Sequence, residues 1–444
     1  MGFPFAEIAR SILATALSVV WSPAVGLRLA FYWVLVAVVW GQYRRTAAMQ
    51  THLYGQAKSS PTLLTLIALA EGLAVGFAGS YLSTFFGVSF LPDGSGLLAV
   101  LLVSAGLLLV SPRLMCFSYA GGLVSLSYLI FGFPRVSVPD LMGLVAILHL
   151  MESLLILTNG WIGATPVYLE RKGRPVGAFY LQRGWPVPVA LLILAVVSPA
   201  EAAQGIAMPE WWPLLRTSPE ILAHPGAVFF LHALPAALGY SDLAMTCPPR
   251  LKARRTSAYL AVYSVVLLLL CLMAARSRPL VWVTALFAPL GHELVVRLGN
   301  LQETRGRPFF VPPEEGVMVL DVIPGSPAAG AGLGPGWVIR EVDGCPVTGR
   351  DELEAALRRA GQDGRVELLA SPPEYRRRTT RRLRPASGPP ASRRLRVPFG
   401  QGGVLGVIPV PEPGDDMGLV LTTASPLRNL WRRLAGGRDR GRGG

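Results

Sequence analysis

The stretch Gly316-Val-Met-Val-Leu-Asp-Val-Ile-Pro-Gly-Ser-Pro-Ala-Ala-Gly-Ala-Gly-Leu-Gly-Pro-Gly-Trp-Val-Ile-Arg-Glu-Val-Asp-Gly344 decides the fold of the C-terminal region. Val317, Val319, Val338 and Val342 are strand formers separated by punctuation. Pro324-Gly325 and Pro335-Gly336 are turn dipeptides, and residues 326–331 are small enough for a short helical turn. Beyond Arg350-Asp351 an amphipathic helix is expected, with Leu353, Ala356 and Leu357 on one face. Residues 365–370 then return as a strand. The pattern is that of a small, mainly β, α/β domain.

Upstream the chemistry changes. The chain has 444 residues, 52% of them hydrophobic and only 15% charged, with mean hydropathy +0.45. Soluble domains carry about 25% charged residues, so much of this chain is expected in lipid. A helix needs roughly 20 apolar residues to span a bilayer. Nine candidate spans meet or approach that length: residues 23–41, 62–86, 96–110, 114–133, 139–157, 187–203, 226–245, 257–275 and 279–298. If they alternate, the loops on the side of the C-terminal domain hold twelve Arg and Lys residues against four opposite. Positive charge stays inside, which puts that domain in the cytoplasm. The expected fold class is a polytopic α-helical membrane bundle followed by the small β-rich domain. Its expected parts are an interfacial helix over 1–22, the spans over 23–298, the β-rich domain over 307–386 and a basic, largely disordered tail over 387–444.

The net charge of +14 brings no nucleic-acid reader motif with it. A dense run, Arg376, Arg377, Arg378, Arg381 and Arg382, would instead lie beside the membrane and meet anionic headgroups. Cys116, Cys247, Cys271 and Cys345 show neither metal spacing nor a CxxC pair and read as reduced core residues.

Ionisable residues inside spans are functional candidates by default. Here they are Glu71, His149, Glu152, Asp242, His292 and Glu293. His149 and Glu152, three apart, share a helix face. An intramembrane zinc protease needs two histidines one turn apart with an intervening glutamate. In Gly291-His292-Glu293-Leu294-Val295-Val296 the second histidine is missing. No cofactor or metal is therefore expected, and no catalytic group. A transporter using the His and Glu residues, or a degenerate protease of that kind, stands as the alternative reading.

The 316–344 stretch resembles the PDZ domains of bacterial membrane proteins and proteases, with Trp337 where aspartate is usual. That resemblance implies a peptide-binding strand, here Phe309, Phe310 and Val311, forming a groove against the 351–360 helix with Leu353, Ala356 and Leu357 as its wall. The order of parts, with Ile147-Leu148-His149-Leu150-Met151-Glu152, Gly184-Trp185-Pro186-Val187-Pro188, Leu238-Gly239-Tyr240-Ser241-Asp242 and Ala288-Pro289-Leu290-Gly291-His292-Glu293, resembles the MinJ-like proteins of Gram-positive bacteria. This implies a non-enzymatic division scaffold at septa and poles. Its implied partners are DivIVA-like and MinD-like proteins and anionic lipid, without nucleic acid, and a homo-oligomer is compatible with it.

Overall fold

A computed structural model of the chain describes residues 2–92, 95–198, 206–215, 224, 226–360, 364–373, 392–399, 403–413 and 415. An apolar helical part precedes a β-rich C-terminal part. Helices α1 (Phe5–Trp21), α2 (Leu27–Tyr54), α3 (Pro61–Phe86), α4 (Ser95–Val110), α5 (Phe117–Phe131) and α6 (Val138–Asn159) come first. Helices α7 (Pro249–Ala274) and α8 (Arg278–Arg305) close this part. Four of them, α3, α6, α7 and α8, are long and apolar enough to cross a membrane.

Between α6 and α7 the expectation of two helical spans fails. The segments expected to span at 187–203 and 226–245 contribute to two long strands, β3 (Arg174–Val196) and β4 (Ala227–Ala244), paired antiparallel. Apolar runs do not by themselves distinguish a buried strand from a helix. Here Pro186, Pro188 and Pro235 would each break helical hydrogen bonds, whereas in the ribbon Pro188 lies directly opposite Pro235. Strand β2 (Thr165–Arg171) pairs with the start of β3, and β1 (Ser89–Phe90) pairs with its far end at Leu192 and Ile193. At about 3.3 Å per residue the 23 residues of β3 reach roughly 75 Å.

Helices cover this ribbon. A Cβ added to Gly72 or Gly76 of α3 would come within 2.0 or 2.2 Å of the carbonyl oxygens of Pro186 and Pro188. Only glycine lets α3 lie that close to β3. Helix α1, expected as an interfacial helix, packs one face on the ribbon and leaves Phe5, Leu13 and Trp21 exposed. Its Ile8, Ile12, Ala16 and Val19 are buried, and its N-terminal half packs with Ala190 and Leu192 of β3 and with Trp212. Helices α1 and α2 both lie along β4, so the outer edge of the ribbon is screened.

The C-terminal part is a six-stranded sheet built from β5 (Val317–Val322), β6 (Val338–Val342), β7 (Cys345–Pro346), β8 (Arg365–Ser371), β9 (Arg393–Pro398) and β10 (Val407–Pro409). Its main order is β10-β5-β6-β8-β9, with β7 on β6. Helices α9 (Pro327–Gly330) and α10 (Arg350–Arg359) complete it. Val319, Ile339, Leu368, Val397 and Leu405 share one core with Leu353 and Ala356 of α10. The expected boundary at 386 is therefore too early. Strands β9 and β10 fall in what composition suggested was a disordered tail, and each supplies an edge of the sheet. The run Arg376–Arg382 lies outside the described residues, in the connection from β8 to β9.

Candidate functional site

The expected peptide strand 309–311 is engaged elsewhere. Phe310 is fully buried and bridges to Gly177 of β3, whose N–H donates to its carbonyl at 2.9 Å. The Phe309 N–H donates to the Met245 carbonyl at the end of β4 at 2.9 Å. The Phe310 ring meets Phe179 edge to face at 5.2 Å. Phe310 thus belongs to the core of the apolar part and Val311 packs beside Val167 and Val176, so neither forms a groove with α10. Leu353 and Ala356 are buried in the core of the β-rich part, and Leu357 packs against it half-buried.

What these residues build is a junction. The hairpin β2–β3 extends to the β-rich part, where the Tyr168 hydroxyl donates to the Pro409 carbonyl at 2.9 Å. Lys58 pairs with Asp321 of β5, and the Arg171 guanidinium caps the Thr304 carbonyl at 2.6 Å near the end of α8. Burial raises the Asp321 carboxyl above its ordinary range, while Lys58 pulls it back down.

Strand β10 forms one end of the sheet. The register pairs Val407 with Val322 and Ile408 with Asp321, and the Ile323 N–H donates to the Gly406 carbonyl at 2.8 Å. Antiparallel ladders alternate, so Gly406 and Ile408 bond inward while the N–H and C=O of Val407 face away from β5. Both ends of the edge are fixed. The Ala328 N–H donates to the Leu405 carbonyl at 3.0 Å, and Gly406 holds a positive φ of 78° where its Cβ would clash with Ser326. Beyond β10, Glu412 accepts the Arg350 N–H at 3.0 Å and Asp415 pairs with the Arg350 guanidinium at 2.8 Å, tying the end of this edge to the start of α10. Sequence reading missed β10 because a long basic segment separates it from the motif.

The ionisable residues of the apolar part do not form one cluster. Glu71 of α3 accepts from Arg183 at 3.0 Å and from the Trp185 indole at 2.6 Å, both on β3. Asp242 of β4 pairs with buried Lys252 at 3.2 Å, and Glu303 of α8 lies 3.6 Å from the same ammonium. Glu303 also accepts the Met245 and Thr246 N–H groups at 2.8 Å each, which ends β4. These are buried, compensated ion pairs that fix the ribbon against the helices.

His149 and His292 do come together, with ring centroids 5.2 Å apart, and Cys116 at the start of α5 joins them. Glu152 makes no hydrogen bond to His149. Glu293, beside His292, is held by Arg113, by the Tyr119 hydroxyl at 2.9 Å and by Arg297 at 2.8 Å. Its lone pairs are occupied by cations and a hydroxyl, a poor state for a general base. A lone cysteine without a CxxC partner gave no warning that Cys116 would join these histidines.

Known proteins resemble the chain in two ways. A family model described as PDZ domain matches residues 294–369. The cell division topological determinant MinJ of Bacillus subtilis (strain 168) is 22% identical over 231 residues, 50% of this chain and 55% of MinJ. The chain thus spans about half the length of that relative. The putative serine protease HhoA of Synechocystis sp. is 38% identical over 61 residues, 14% of this chain and 16% of HhoA. No solved structure matches. The chain carries a PDZ domain and is homologous to MinJ over half its length.

Proposed function

We propose that this chain is a non-enzymatic scaffold of cell division, held in the cytoplasmic membrane, whose PDZ domain captures a partner protein by strand addition at β10. The observation that carries the reading is the joint similarity to MinJ and to PDZ domains, found in one chain with four membrane-length apolar helices. Strand addition uses main-chain hydrogen bonds for affinity, and the outward N–H and C=O of Val407 are the groups that would supply them. The partners are division proteins of the DivIVA-like and MinD-like classes. The arginine run between β8 and β9 adds attraction to anionic headgroups, about 1 kcal/mol for each basic group near the surface. The PDZ domain and the chain's C-terminal side face the cytoplasm in this reading.

The test is a fluorescent fusion imaged in dividing cells of the source organism, intact and with Val407→Pro. Proline keeps the strand side chain apolar and removes the N–H that a peptide would accept from. Enrichment at septa and poles that is lost in the variant, with the fusion still in the membrane, is the expected result. An even membrane signal from the intact chain would sink the division role.

A further inference from the structure

The geometry points to a transition-metal site inside the helical part, formed by Cys116, His149 and His292, with Zn2+ as the ion that suits it best. The three residues come from the start of α5, the middle of α6 and the middle of α8. Their ligand atoms lie within 4.8 Å of one another. Cys116 Sγ is 3.0 Å from His149 Nε2 and 3.6 Å from His292 Nε2. In a tetrahedral zinc site, Zn–S near 2.3 Å and Zn–N near 2.0 Å put sulfur and nitrogen about 3.5 Å apart. The two sulfur–nitrogen distances bracket that value.

Proton bookkeeping at the site supports a cation. His149 Nδ1 lies 2.8 Å from the Val145 carbonyl, which can only accept, so Nδ1 carries a proton and Nε2 is the nitrogen turned to the site. A backbone carbonyl behind the ring is the usual outer partner of a metal-bound histidine. The Tyr263 hydroxyl donates to the Ala288 carbonyl at 2.9 Å, so Ser118, 2.8 Å from that hydroxyl, donates its own proton there. Ser118 Oγ therefore turns a lone pair toward His149 Nε2, 3.3 Å away. In the metal-free site the Cys116 thiol can donate its proton to His149 Nε2, 3.0 Å away; a metal ion would take the place of that proton. On the other side, His292 Nδ1 is buried with no hydrogen-bond partner among the described residues. A cation held by Cys116, His149 and His292 would fasten α5, α6 and α8 to one another.

The ligand set names the ion class. One thiolate and two imidazoles suit borderline-soft ions, and three protein ligands leave a fourth position for water or a small anion. Glu293 is not a fourth ligand, because Arg113, Tyr119 and Arg297 hold it. This site is independent of the scaffold reading.

The full chain, purified in detergent and washed with chelator, is titrated with Co2+ and then with Zn2+. The expected result is a near-ultraviolet thiolate-to-cobalt band together with visible d–d bands, both removed by Zn2+. Cys116→Ser loses the thiolate band, and Cys271→Ser, a buried cysteine of α7, keeps it. Cys116→His keeps the visible bands without the thiolate band, which separates loss of the ligand from loss of the fold. His149→Asn or His292→Asn weakens binding by more than about 10-fold, the lower end of what outer-shell changes do. A folded chain with no bands, or a thiolate band that survives Cys116→Ser, overturns the assignment.

Discussion

Lys58, in the turn between α2 and α3, forms an ion pair with Asp321 on β5, joining the helical part to the PDZ domain. The lysine side chain is 23% exposed and the aspartate only 6%, so the pair is nearly dry at the carboxylate. Removing Lys58 leaves that carboxylate buried without compensation. The loss for a fully buried pair is about 3–5 kcal/mol, and the partial exposure of Lys58 brings the expectation for Lys58→Met to about 2 kcal/mol. Asp321→Asn should be milder, because it also removes the charge that burial penalises. Burial raises the Asp321 carboxyl, so the folded state disfavours its ionised form and the penalty grows as pH rises through the raised value. The destabilisation of Lys58→Met is therefore expected to be largest near neutral pH and to shrink in acid. Thermal unfolding in detergent across that range checks it, and a loss that grows on acidification contradicts it.

The same junction rests on a close approach between Phe310 and Gly177. A Cβ on Gly177 would lie 2.8 Å from Leu320 Cδ1 and 3.0 Å from Phe310 Cβ. Gly177→Val should overpack this contact by about 1–3 kcal/mol, and Phe310→Ala should lose about 3–5 kcal/mol of packing. Proteolysis between α8 and β5 is expected to speed up in both variants. If neither cuts faster than the parent chain, the PDZ domain is not held by this contact.

How far these relations were legible in the sequence follows from what each signal depends on. Strands β5 and β6 and helix α10 were readable because Pro-Gly turns and helical spacing are local. The ribbon β3–β4 was not, because its runs are apolar and long, and only Pro186, Pro188 and Pro235 argued against helices. The partner of Phe310 could not be read from sequence at all. Its apolar, β-branched neighbourhood fits any sheet edge, and Gly177 lies more than a hundred residues away. The histidines were found as costly groups in spans, but Cys116 joined them only through three-helix packing.

A local capping contact sets the start of α10. Glu352 accepts from both the N–H and the hydroxyl of Thr348 at 2.7 Å. Those bonds hold the Glu352 carboxyl below its ordinary value near 4.5. A depressed folded value means the stabilisation is full above the unfolded value and disappears as pH falls through the folded one. Glu352→Gln is expected to speed amide exchange in the first turn of α10 near neutral pH and to match the parent chain in acid. An equal difference at both pH values would show that the carboxylate charge plays no part.

The scaffold and transporter readings separate at Glu152 and Val407. Glu152 sits on α6 one turn from His149 and makes no hydrogen bond to it, so a glutamine of nearly the same shape should leave the fold intact. A transporter that moves a proton or cation past this carboxylate would lose activity in Glu152→Gln and would be indifferent to the sheet edge at β10. A scaffold should behave in the opposite way, because its output depends on the outward N–H of Val407 and on nothing that titrates in α6. Co-purification of division proteins with tagged chains in mild detergent measures this. The expected pattern is full recovery with Glu152→Gln and a loss of at least about tenfold with Val407→Pro, equivalent to 1.4 kcal/mol of binding. If the glutamine variant loses its partners while the proline variant keeps them, strand addition at β10 is wrong and the buried carboxylate becomes the functional centre.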